Sequence, residues 1–208
     1  MKQLLIAIRI TLVLLVIVSG IYPLVVWGIS QAAFRNQANG SLIRNSAGQV
    51  VGSSLIAQGF AKPIYFQPRP SAAGGGYDPT ASGGTNLGPT SDKLINGIHK
   101  KLANGKDDPS NFDGVKDLAT EYRATNNLPA NAPVPVDAVT RSASGLDPHI
   151  SLANADLQTP RVAKARGIDL TAVQVLVMRY TDKRQLGVLG EPGVNVLELN
   201  MALDKGEK

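Results

Sequence analysis

Ser144, Asp147, His149 and Ser151 put every side-chain type of a serine hydrolase within eight positions. That chemistry needs a hydroxyl nucleophile, an imidazole that takes its proton and a carboxylate that orients the imidazole. Triad members normally converge from separate elements, whereas Asp147-Pro148 is a common turn and Ser151 stands where a helix would be capped. The turn-and-cap reading is preferred, so no catalytic residue is assigned. A membrane-anchored extracytoplasmic hydrolase using Ser144 or Ser151 with His149 is the alternative function. The other histidine, His99, neighbours Lys100 and Lys101 and reads as a solvated residue on a helix. With two histidines, no cysteine and no clustered carboxylates in sequence, disulfides and thiolate chemistry are excluded and no metal site is expected.

Phosphate chemistry has one candidate. The patterns GxxxxGK[ST] and strand-following GxGxxG are absent, but Ser82, Gly83, Gly84, Thr85 and Asn86 form a glycine-rich loop whose backbone amides could meet a nucleotide phosphate or a partner. The Asp-Lys-Thr phosphorylation sequence of cation pumps is also absent, so this chain is not the phosphorylated subunit of such a pump.

The elements that position these residues begin with a membrane anchor. Residues 10–29 are uncharged and apolar, and about 20 such residues match a hydrocarbon core of roughly 30 Å. A cleaved signal peptide ending near Val18, Ser19 and Gly20 competes with this reading. It is disfavoured because apolar character continues to Trp27, with Tyr22 and Trp27 placed as interfacial aromatics. Gly20 and Pro23 weaken the helix, and Ser19 and Gly20 are small residues of the kind that let membrane helices approach, so the anchor is expected to pack against partners.

The net charge of +5 does not indicate nucleic acid. Six basic residues (Lys2, Arg9, Arg35, Arg44, Lys62, Arg69) precede the first acidic one, Asp78, and the remaining 15 of the 21 face all 16 carboxylates. The excess therefore lies around the span, where it contacts lipid headgroups. Lys2, Arg9 and the terminal amine favour a cytoplasmic N-terminus, which places the large domain outside the cytoplasm, in a bacterium the periplasm or outer surface.

The expected fold is α+β: one transmembrane anchor (1–34) followed by a single mixed helix/strand soluble domain (35–208). A hairpin of 41–44 and 49–56 turns at Asn45–Gly48, and a Gly/Pro-rich loop covers 62–90. Ser91 caps a predicted helix running to Gly105 with Leu94, Ile95, Ile98 and Leu102 on one face, and a second helix runs from Asp113 to Asn126. Ser151 opens a helix to Arg166 that Pro160 should interrupt or restart, and Asp169 caps another that buries Val173, Leu176, Val177 and Tyr180. Residues 194–201 alternate as a final strand with Leu197, Leu199 and Met201 on one face.

Several words in this order are informative together: the anchor with Gly20, Tyr22 and Pro23; 38–43 (ANGSLI); Arg69-Pro70-Ser71; 82–87 (SGGTNL); 142–147 (SASGLD); 160–163 (PRVA); and 194–200 (VNVLELN). The chain resembles, almost end to end, the C subunit of the Kdp-type potassium-transporting P-type ATPase. Thr85 departs from the serine more usual there but keeps the hydroxyl. The resemblance implies an accessory, non-catalytic subunit of an ATP-driven potassium uptake complex. Its partners would be a potassium-selective channel-like subunit, an ATP-hydrolysing P-type subunit and a small fourth subunit. The resemblance also implies a role in assembly and as a catalytic chaperone that raises ATP affinity, with no cofactor held firmly by this chain and ATP acting through the hydrolysing subunit.

Overall fold

The computed structural model describes residues 1–45 and 47–207; Ser46, in the expected hairpin turn, lies outside them. The chain forms two compact units, Met1–Ser53 and Ser54–Lys208. The division anticipated at 34/35 therefore falls inside the first unit, where the hairpin is grouped with the anchor.

In the first unit a continuous helix covers Lys2–Ala33, built from α1 (Lys2–Val16), a π-helical turn (Ile17–Ile21) and α2 (Tyr22–Ala33). It is long and apolar enough to cross a membrane, and none of its residues is buried within the chain. Pro23 explains the π turn. Proline has no N–H and its ring crowds the carbonyl four residues back, which here is Ser19. The ladder widens before it, and the Tyr22 N–H donates to the Ile17 carbonyl, five residues back. The short α3 (Arg35–Ala38) precedes strands β1 (Leu42–Arg44) and β2 (Val50–Ser53), which pair antiparallel as expected.

The second unit begins with a long segment that lacks helix and strand until α4 (Asp92–Asn96). It continues through α5 (Val115–Thr125), α6 (Val136–Val139), β3 (His149–Ile150), α7 (Leu152–Arg166), α8 (Leu170–Arg179), β4 (Thr181–Asp182), β5 (Gly193–Asn195) and α9 (Val196–Asp204). Strand β5 is central, with β3 and β4 antiparallel on either side. The core forms where α7, α8 and α9 bury Val162, Val173, Leu176 and Leu199 against Ile150 and Val194 of the sheet. Each such aliphatic side chain contributes about 1.5–3 kcal/mol on leaving water.

Three sequence expectations fail for tertiary reasons. The helix from Ser91 stops at Asn96, because Gly97 turns to φ +78° where it lies against Gly114. Ile98 then exchanges backbone hydrogen bonds with Phe112, so Ile98, His99 and Leu102 are not on a helix. Pro160 does not interrupt α7. It lies on the exposed face, where the carbonyl deprived of a donor can be hydrated, while Asn154, Ala155, Gln158 and Val162 hold the other face in the core. Residues 196–204 are helical, because Asn195 accepts the Glu198 N–H as an N-cap and both Leu197 and Leu199 become buried. By contrast, Ser151 and Asp169 cap α7 and α8 as their sequences require.

Candidate functional site

Three of the distinctive words converge in the second unit although they lie up to 78 residues apart in sequence. Ser71 Oγ donates to the Gly145 carbonyl at 2.6 Å and accepts the Ala73 and Tyr77 N–H groups, so one hydroxyl ties two loops together. The Gly83 N–H and the Ser82 hydroxyl both donate to the Ser144 carbonyl at 2.9 Å. Arg69 donates to Asp147 at 2.9 Å and also reaches the Thr140 carbonyl. The Ala57 N–H donates to the Leu146 carbonyl and fixes the same segment from a fourth side.

This geometry limits what the glycine-rich loop can offer an anion. The Gly83 amide is engaged, and Gly84 lies so close to Ala143 that an added Cβ would be 3.0 Å from the Ala143 carbonyl oxygen. Thr85 and the left-handed Asn86 (φ +52°) make no hydrogen bond with any described residue, so their polar groups remain available to a partner. The loop is thus pinned at its Ser82-Gly83 end and presents its Thr85-Asn86 end.

No serine–histidine pair forms among the described residues. The Ser151 hydroxyl donates to Asp137 and accepts the Asn154 N–H, while Ser144 Oγ accepts the Leu146 N–H. The His149 imidazole instead meets Asp182, with Nε2 2.8 Å from Oδ2, and stands 3.7 Å from Asp147. The hydrolase alternative therefore lacks its central contact.

These carboxylates set the local titrations. Burial opposes ionisation of Asp147, but hydrogen bonds from His149 and Arg69 prevail and hold its pKa at about 2. Asp147 raises the pKa of His149, partial burial opposes that, and Asp182 adds to the rise. The linkage signs follow. The Asp147 contribution to stability is complete above the ordinary 3.8 and disappears as pH falls toward 2. The His149 contribution is complete below 6.5 and is lost as pH rises through its elevated folded value. Asp182→Asn is expected to lower the His149 pKa, read from imidazole proton shifts in an NMR pH titration.

The structure also gathers His99, Asp113 and Asp117, whose ligand-type atoms lie within 4.8 Å of one another. Sequence reasoning saw no such grouping because the fold-back of Ile98 on Phe112 creates it. Asp117 is already committed there, accepting the Gly114 N–H at 2.8 Å and lying 2.9 Å from His99. In the first unit, Ser19, Tyr22, Pro23 and Trp27 are all exposed on the apolar helix, and an added Cβ at Gly20 would meet nothing within 4 Å.

Comparison with known proteins places the whole chain beside one family. The family model described as K+-transporting ATPase, c chain, matches residues 4–205. A potassium-transporting ATPase KdpC subunit from Mycobacterium tuberculosis is 50% identical over 204 residues, 98% of each chain. Its counterpart from Koribacter versatilis is 45% identical over 203 residues, 98% of this chain and 94% of its own. One from Caulobacter sp. is 50% identical over 183 residues, 88% of this chain and 83% of its own. With the match running from the apolar helix through the loop junction to the final helix, the chain belongs to the KdpC family of potassium-transporting ATPase subunits.

Proposed function

We propose that this chain is the accessory, non-catalytic subunit of an ATP-driven potassium uptake complex at the bacterial inner membrane. In this reading it assembles with a potassium-selective channel-like subunit, an ATP-hydrolysing P-type subunit and a small fourth subunit. The observation that carries the proposal is the Lys2–Ala33 helix, which is apolar on every side, has no buried residue and is interrupted by a π turn beside Pro23. Lipid alone satisfies its side chains, but the backbone distortion and the small Ser19-Gly20 pair favour close approach of another membrane helix. The basic residues before the span favour a domain outside the cytoplasm.

On that topology the soluble domain cannot touch cytoplasmic ATP. It can still act as a catalytic chaperone through linkage: if it binds two states of the pump unequally, it changes ATP affinity in the hydrolysing subunit by the same coupling free energy. The engaged Gly83 amide favours the partner role of the Ser82–Asn86 loop over nucleotide binding.

One experiment reads both halves of the proposal. Because the chain has no cysteine, Val188→Cys, at a position 73% exposed, supplies a single thiol. Co-expressed with the other pump subunits, it should react with a membrane-impermeant maleimide in intact cells and copurify with a potassium-stimulated ATPase. Adding Gly20→Leu should reduce copurification about tenfold, a loss near 1.4 kcal/mol. The space around Gly20 accepts that side chain in the isolated chain, so the loss reports a partner. Labelling confined to broken cells would reverse the topology, and undiminished copurification would remove the helix interface.

A further inference from the structure

A cleft of about 560 Å³ opens between α5, α7 and the segment 59–77. Its buried lining includes Asn154 and Gln158, and the oxygen of each amide already accepts two hydrogen bonds. Asn154 accepts from Tyr122 and Gln158, and Gln158 bonds to the backbone of Gln67. Aromatic rings of Phe60, Tyr77 and Tyr122 also line it, with Pro68 and Pro70. Among the described residues the lining has no Lys, Arg or His, and its sole charge is the exposed Glu121, which makes no ion pair or hydrogen bond with any of them.

Tyr77 is built into this wall. Its backbone holds the left-handed conformation (φ +58°), which a non-glycine residue rarely adopts. Its N–H is held by Ser71, and its hydroxyl donates to the Arg69 carbonyl. Gly59 makes room for the ring, since a Cβ there would lie 3.0 Å from it. Arg141, whose charge acts on Tyr77, is itself occupied by the Phe112 ring and the Asp113 carbonyl.

We propose that this cleft receives a cationic side chain, arginine or lysine, presented by a partner polypeptide. An anion finds no counter-charge there, and a neutral donor finds both buried amide oxygens already doubly engaged. A cation needs only acceptors and π faces, which Glu121, the Thr125 hydroxyl and the aromatic rings supply. That a polypeptide carries the cation rests on the assembly reading; the preference for a cation does not.

The test uses the purified full chain in detergent with fluorotyrosine incorporated, observed by fluorine NMR. The probes are capped pentapeptides Ala-Ala-X-Ala-Ala, with X arginine, lysine or the neutral isostere citrulline, and free methylguanidine. Arginine and lysine peptides should shift the Tyr77 and Tyr122 resonances saturably, citrulline should not, and Glu121→Gln should weaken binding about fivefold. Equal response to citrulline, no saturable shift, or indifference to Glu121→Gln overturns the site. Methylguanidine binding as tightly as the arginine peptide would keep the cation preference and overturn the polypeptide source. None of these outcomes depends on whether the chain copurifies with the pump.

Discussion

Gly145→Ala is expected to destabilise the second unit by about 2–5 kcal/mol, combining left-handed backbone strain with overpacking. Gly145 has φ +69°, and a Cβ there would lie 2.7 Å from the Ala73 nitrogen and 2.8 Å from the Gly83 carbonyl oxygen. Both obstacles are backbone atoms, which cannot swing aside as the end of a long side chain would. Relief requires moving the loops apart, and the same movement stretches the Ser71 to Gly145 and Gly83 to Ser144 hydrogen bonds. Urea unfolding of the full chain, followed by near-ultraviolet circular dichroism, should show a lower midpoint. Native-state hydrogen exchange should show the Gly83 amide losing protection before the core of α7. An unchanged midpoint would mean that the three loops are held apart from one another more loosely than their hydrogen bonds indicate.

Arg161→Ala should cost about 3–5 kcal/mol, because truncation leaves several buried acceptors without donors. Arg161 is 7% exposed and has no carboxylate partner among the described residues. Instead it donates to Asn126 Oδ1, Gln158 Oε1 and the carbonyls of Pro63 and Tyr65. Burial pushes its pKa below the usual guanidinium value. The planar fork satisfies four acceptors from three elements, and it fastens the non-repetitive segment 63–65 to α7. Lysine has three donors on a single nitrogen and cannot span that set, so Arg161→Lys should recover only part of the loss. Thermal unfolding of the two variants checks this ordering. Full recovery by lysine would show that charge, not the fork geometry, is what the site requires.

Local rules were sufficient where one segment decides its own structure. Ser151 and Asp169 cap their helices, α5 follows its apolar spacing, and the hairpin closes between two short apolar runs. They failed where two distant segments meet. Ile98 and Leu102 have helical spacing, but the contact between Gly97 and Gly114 redirects the chain into a backbone pairing that no single segment encodes. The alternation of Leu197, Leu199 and Met201 imitated a strand, although Asn195 followed three residues later by Glu198 carried a helix-start signal that outweighs it. The site was half legible. Its words could be picked out one by one, but the Arg69–Asp147 pair and the single hydroxyl of Ser71 joining two loops depend on how the unpatterned segment 59–90 lies across the sheet and helices. Periodicity is silent about a segment that has none.

The π turn before Pro23 changes which residues share a face of the apolar helix. Five residues per hydrogen-bonded turn in place of four insert one extra residue, which sets everything after Tyr22 back by about 100° around the axis. Any straight stripe drawn along Lys2–Val16 therefore steps sideways in Tyr22–Ala33. The two halves of the helix thus present differently phased faces, and a single rod becomes a two-sided joint.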